Sequence, residues 1–189
     1  MPATEPSSGP DVVDFLIDQH QQIKSLCSEV SSVTGAARQE SFDRLRRLLA
    51  VHETAEELIV HPRARRVVQD VDHVVEDRLR EEHDAKQVLA ELEKLDIDSD
   101  DFSAKFDSFC QDVLAHAEAE EREEFSRLSE QLDSDELASL GRAAELAVKL
   151  APTRPHPGVE SGPANLLAGP FAAMLDRARD LITGHADQR

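Results

Sequence analysis

Two short stretches of the chain carry side chains suited to metal chemistry, and they are near-copies of each other. His52-Glu53-Thr54-Ala55-Glu56-Glu57 is matched by His116-Ala117-Glu118-Ala119-Glu120-Glu121, and Phe42-Asp43 lies as far before His52 as Phe106-Asp107 lies before His116. In each copy a glutamate follows the histidine four residues on. On a helix the two side chains are then offset by only about 40° and reach into the same space. Apolar residues lead into each pair at steps of three and four: Phe42, Leu45, Leu49, His52, Glu56, Ile59 in the first, and Phe106, Phe109, Val113, His116, Glu120 in the second. That is the seam of a helix facing a bundle core. An ionised carboxylate in such a seam is costly unless something pairs with it. A single His-x-x-x-Glu would be read as a surface pair; two in register point to a shared metal centre.

Helices must position these residues. A Pro/Ser/Gly-rich tail, residues 1–10, precedes a first helix over about 11–33, whose stripe Val13, Leu16, Ile17, His20, Ile23, Cys27, Val30 turns His20 to the core and which Gly35 ends. A second helix, from about Ser41, carries the first motif, and Pro62 should end or kink it at about His61. A third runs to about Leu95 with Val71, Val75, Leu79 and His83 on one row. An acidic turn, 96–101, offers Asp98, Ser99 or Asp100 as N-cap to a fourth helix over about 102–132, which holds the second motif. No strand alternation is visible. The expectation is an all-α fold, an antiparallel up-down four-helix bundle over 11–133, with additional C-terminal helices in an extension over 134–189. That extension comprises a helix to about Leu150, a Pro-rich connector over 152–163 with His156, and an amphipathic segment from Leu166 to Ile182 before His185. The last segment is expected to dock on the bundle in preference to a second subunit, leaving monomer or homodimer open.

Composition narrows the function. With 39 acidic and 21 basic residues the formal charge is -18, which opposes nucleic acid or an anionic membrane surface as partner. No run of about 18 apolar residues is present to span a bilayer, and no basic segment followed by an apolar run marks a secretory signal. Two cysteines, Cys27 and Cys110, suit a reducing cytoplasm and provide no disulfide scaffold. Trp and Tyr are absent, which removes tyrosinate as a ligand.

The two halves align as His…His-x-x-x-Glu, because His20 precedes His52 by nearly the same interval as His83 precedes His116. Four helices thus each offer an imidazole and two also offer a carboxylate. Imidazole with carboxylate suits iron or, second to it, manganese, and the lack of thiolates in the seam opposes structural zinc. Carboxylates reaching the midline can each bridge two metals, with an oxo or hydroxo bridge completing the set.

The pattern His20, His52-x-x-x-Glu56, His83, His116-x-x-x-Glu120 resembles that of the hemerythrin-like, or HHE cation-binding, family over about 11–132. The resemblance implies a four-helix bundle around a non-haem di-iron centre, with His20 and His52 on one iron, His83 and His116 on the other, and Glu56 and Glu120 bridging. Oxygen-carrying hemerythrins have a further histidine one turn along the third helix, where this chain has Leu79 and Gln87 on either side of His83. His61 could stand in; otherwise it is a helix-terminal residue interacting with the dipole. His73 points away from the site.

The missing histidine turns the expectation from reversible oxygen carriage toward reaction with a small oxidant (peroxide, O2 or nitric oxide), foremost a catalase- or peroxidase-like enzyme. The alternative is a carrier or sensor of O2, nitric oxide or iron without turnover. A ferritin-like oxidase would show Glu-x-x-His, which no histidine here satisfies, and a zinc peptidase would need histidine at position 56. A metal-free interaction bundle with a buried polar network is the remaining rival.

Overall fold

The structure, a computed structural model, describes residues 10–150. The expected features at residues 1–9, the connector over 152–163, His156, the segment from 166 to 182 and His185 lie outside the described residues. The described residues form helices α1 (Val12–Ser32), α2 (Gly35–Ala55), α3 (His61–Val67), α4 (Asp72–Leu92), α5 (Asp100–Glu120), α6 (Ser126–Gln131) and α7 (Ser134–Leu150). A widened π turn, Glu56–Val60, joins α2 to α3, and a second, Glu121–Phe125, joins α5 to α6. Each of these pairs is one continuous rod, so α1, α2–α3, α4 and α5–α6 make the antiparallel four-helix bundle and α7 adds a fifth helix. Among the described residues there is no strand, and no helix is long and apolar enough to cross a membrane.

The ends are set by local chemistry. Asp11 caps α1 by accepting from the Asp14 amide at 2.9 Å, and Ser99 caps α5 by accepting from Phe102 at 3.1 Å. Gly35 opens α2 at φ 61° and does not close α1, and its amide donates to the Asp98 carboxylate at 2.8 Å. Arg38, buried at the same end, donates to the carbonyls of Val30 at 2.9 Å and Ile97 at 3.0 Å. One guanidinium thus ties the α1–α2 turn to the α4–α5 turn.

Of the two outcomes expected at Pro62, an end or a kink, the rod does not end there: its winding changes over Glu56–Val60, directly before His61. The π turn before it carries a His61 N–H to Glu56 carbonyl bond, a five-residue step that relieves the tight winding into which a prolyl ring would clash. The helix then continues to Val67.

Packing divides the core in two. One cluster gathers Ile23, Cys27, Leu45, Leu49, Cys110 and the rings of Phe42, Phe102 and Phe106, with Phe42 and Phe102 edge to face at 5.2 Å. The other gathers Val12, Leu16, Ile59, Val75 and Leu128 with Leu137, Leu140 and Ala144 of α7. Helix α7, which the sequence assigned to the extension, therefore shares a core with α1 and α2. Gly141 permits this: a Cβ there would lie 2.3 Å from the Pro10 carbonyl oxygen. Between the two clusters, at the level where each rod passes His20, His52, Glu82 and His116, the interior is polar.

Candidate metal centre

The polar layer holds His20 and His52, each 3% exposed, and Glu56, Glu120 and Glu124, each 0% exposed. The Nε2 atoms of His20 and His52 face each other at 3.0 Å. Glu120 lies 3.4 Å from His20 Nε2 and 3.3 Å from His116 Nε2, and Glu56 lies 3.2 Å from His52 Nε2. The opposite nitrogen of each ring is held from behind. His20 Nδ1 donates to Glu121 at 2.8 Å, His52 Nδ1 to the Gln19 side-chain oxygen at 2.9 Å, and His116 Nδ1 to Glu81 at 2.8 Å. With the proton fixed on Nδ1, the Nε2 lone pairs converge on the interior, the arrangement by which metal-ligating histidines are oriented.

Two groups of ligand atoms result, each with all its atoms within 4.8 Å of one another: His20, His52, Glu56 and Glu120; and Glu56, Glu82, His116 and Glu120. They share Glu56 and Glu120, as a binuclear site with two carboxylate bridges requires. A third group, His61, Glu120 and Glu124, adjoins them. His61 is buried, with Nδ1 2.9 Å from Glu124 and Nε2 2.9 Å from Glu82. The five-residue step of the π turn brings it over Glu56, where an α-helical count would have turned it away.

The structure does not bring His83 into this cluster. It is half-buried, against Gln87, and Glu82 takes the inward position on α4. The reason is geometric. The row Val71, Val75, Leu79, His83 advances four residues at each step and so drifts about 40° each time, leaving the seam before it reaches 83. Val75, Glu82 and Leu89, seven apart and all buried, stay on it. Glu82, Glu124 and the residues behind the rings, Gln19, Glu81 and Glu121, were not foreseen; the position of Glu82 seven residues from both Val75 and Leu89 was the available signal for it. His73 is exposed, as expected.

Electrostatics show an interior arranged around missing positive charge. Burial, then the Glu120 charge, pushes Glu56 well above the ordinary carboxylate range. Burial would raise Glu120 too, but His116, His20 and His52 hold it well below. Burial together with neighbouring His20 lowers His52 to about 3, so that ring is neutral. For His116 burial is outweighed by Glu120 and Glu81, and it rises to about 10. Burial lifts Glu53 to about 8 in spite of Lys86 at 3.2 Å. Lys86 also reaches Glu57 at 2.7 Å and Glu82 at 3.9 Å. Both oxygens of Glu56 and of Glu120, and one each of Glu82 and Glu124, are buried without a hydrogen bond. Buried polar atoms are almost always satisfied, so six such oxygens around one point mark the place of a cation.

A cavity of about 330 Å³ opens from the imidazole side of this layer between α1, α2, α4 and α5.

The comparisons agree with the geometry. The profile of the hemerythrin HHE cation-binding domain matches residues 11–128, and this chain belongs to that family. A hemerythrin-like protein of Schizosaccharomyces pombe, described as uncharacterized, is 26% identical over 136 residues, covering 71% of this chain and 67% of its own. The crystal structure of a hemerythrin HHE cation binding domain-containing protein from Mycobacterium kansasii superposes with a TM-score of 0.67 at 20% identity, covering 90% of this chain and 99% of that one. That likeness is one of fold.

Proposed function

We propose that this cation-binding domain is a cytoplasmic non-haem di-iron protein that reacts with small oxidants, foremost hydrogen peroxide in a catalase- or peroxidase-like reaction. The observation that carries the reading is the pair of ligand groups sharing Glu56 and Glu120, with a cavity reaching His20, His52 and His116 from one side.

The residues fit the ions in number, charge and type. Glu56, Glu82, Glu120 and Glu124 can contribute four negative charges, which two divalent cations would balance once they displace the protons that His116 and His61 hold in the metal-free layer. His20 and His52 would hold one ion and His116 with Glu82 the other, Glu56 and Glu120 bridging. His61 and Glu124 would border the second ion. Imidazole and carboxylate donors without thiolate favour iron, with manganese second; Cys27 and Cys110 belong to the apolar cluster and not to this layer.

When bound, two irons sharing carboxylates supply the two electrons that reduce one peroxide to water and accept the two released when another becomes dioxygen. The chain sets the conditions. The Nδ1 acceptors Gln19, Glu81 and Glu121 keep the imidazoles in one tautomer and orientation. The second ligand group has three carboxylates and a single imidazole, and hard anionic donors stabilise the ferric state. A centre drawn toward the ferric state would give up its electrons fully to a bound oxidant and need a reductant, here a second peroxide, to regain them, whereas reversible oxygen carriage must recover them when O2 leaves.

Purified protein from iron-replete cells should hold two irons per chain, show near-ultraviolet and visible absorption that shifts with azide, and release oxygen from peroxide. Reversible oxygen uptake without peroxide turnover would replace this reading with a carrier or sensor; a colourless, iron-free protein would end it. The choice of Glu82 over His83 has its own measurement. Glu82→Ala should weaken retention of one of the two ions by more than about 10-fold, since even outer-shell changes at metal sites cost that much, while His83→Ala keeps both. The reverse pattern in a metal titration would return His83 to the site.

A further inference from the structure

The cavity is larger than the oxidants named above require. This solvent-open cavity has a volume of about 330 Å³, whereas a diatomic or peroxide needs little more than one water's share of volume, roughly 30 Å³. Cavities that seat organic ligands begin near about 300 Å³. Its buried walls are hydrocarbon, from Ile23, Leu49, Phe109 and Val113. Its inner end presents His20, His52 and His116 with the buried carboxylates Glu53 and Glu82, and its exposed rim carries Glu81, Asp84 and Asp112.

Each part restricts what fits. Apolar walls reward an apolar body and penalise any charged group drawn past them. The acidic rim repels anions, as does the net charge of -18. A cation drawn past the rim would lose its water along Ile23, Leu49, Phe109 and Val113 before meeting Glu53 and Glu82, which Lys86 already faces at 3.2 and 3.9 Å. A neutral molecule with a compact hydrocarbon body and one oxygen-bearing end satisfies all three, its polar end directed to the imidazoles.

We propose that the cavity binds uncharged organic hydroperoxides and the alcohols derived from them, with an apolar body about the size of a cumyl group. The assignment rests on the reading of the layer as an oxidant-reactive metal centre, because that reading makes the oxygen end a hydroperoxide. The site differs from one open only to diatomics in that the body of the ligand, packed on Phe109 and Val113, contributes to binding.

Cumyl alcohol is a suitable probe, since it has the body of the hydroperoxide and is not consumed. Calorimetric titration of the full chain, both iron-loaded and stripped of metal by chelation, should show saturable binding at one per chain. Cumate, with a similar body and a carboxylate, should bind at least 10-fold more weakly. Ala85→Phe and Val88→Trp, on the half-buried α4 wall, should each weaken cumyl alcohol by more than 10-fold while metal content and melting temperature stay near those of the parent. Two variants guard against one that misfolds. No saturable binding to either form, equal binding of cumate, or full binding by a folded Val88→Trp protein would overturn the proposal. A chain that holds two irons but ignores cumyl alcohol refutes this ligand class alone. A chain that binds the alcohol yet never takes up metal keeps a cavity for neutral organic molecules but removes the metal reading and, with it, the hydroperoxide assignment.

Discussion

Glu56→Gln is expected to give a protein that melts higher than its parent without metal, yet fails to retain two metal ions. Glu56 is 0% exposed and neither carboxylate oxygen has a hydrogen bond. Burial and the neighbouring Glu120 both oppose its ionisation. In the metal-free protein the site must therefore keep a proton on this group or tolerate an uncompensated charge, and either costs stability. Glutamine has nearly the same shape, needs no proton and can donate to Glu120. Relief of a buried, unpaired charge of this kind is worth about 1–3 kcal/mol. In a chain of this size that corresponds to about 3–10 °C in melting temperature. The same change removes a donor from both ligand groups at once, so metal per chain should fall well below two. Glu124→Gln touches only the adjoining group with His61 and should retain more. A Glu56→Gln protein that keeps both ions, or that melts lower than its parent when metal-free, would show that this carboxylate is structural.

The second large effect is a pH dependence that is steeper in the metal-free protein than in the loaded one. Glu53, raised by burial to about 8, contributes stability that is complete below its unfolded value near 4.5 and is lost as pH rises through 8. His116, raised by Glu120 and Glu81 to about 10 against its burial, contributes stability that is complete below about 6.5 and is lost toward 10. His52, lowered by burial to about 3, works in the opposite sense, but its effect is complete once pH reaches about 6.5. Glu120, held low, keeps its charge throughout. Above pH 6.5 the two losses therefore act unopposed by His52. The metal-free protein should lose on the order of 5 kcal/mol between pH 6.5 and 9, at up to about 1.4 kcal/mol per pH unit for each proton involved. A bound cation takes the place of the His116 proton, though not of that on Glu53, which is in neither ligand group, and binds more tightly as its ligands deprotonate. The gap in melting temperature between loaded and stripped protein should widen over the same range. A stripped protein with a flat profile from pH 6.5 to 9 would contradict the charge distribution described for the layer.

Local pattern was sufficient where helical steps alternated between three and four. Leu45, Leu49, His52, Glu56 and Phe109, Val113, His116, Glu120 stay on one face by that alternation, so the all-α fold, the bundle and the inward direction of both motifs were legible in the chain itself. So was His20, between Leu16 and Ile23. Three matters were decided only by tertiary structure. The row through Val71, Val75, Leu79 and His83 steps by four throughout and winds off the seam; which of Glu82 and His83 points inward depends on how α4 rotates against its neighbours. The π turns after Ala55 and Glu120 change the winding for five residues each, and no α-helical count through Pro62 could place His61 between Glu82 and Glu124. The partners Gln19, Glu81 and Glu121 are polar residues beside the seam that look solvent-facing until another helix brings an imidazole against them. Periodicity reports the face of one helix, whereas a metal site is made where faces meet, and their relative rotation is set by packing across the whole bundle.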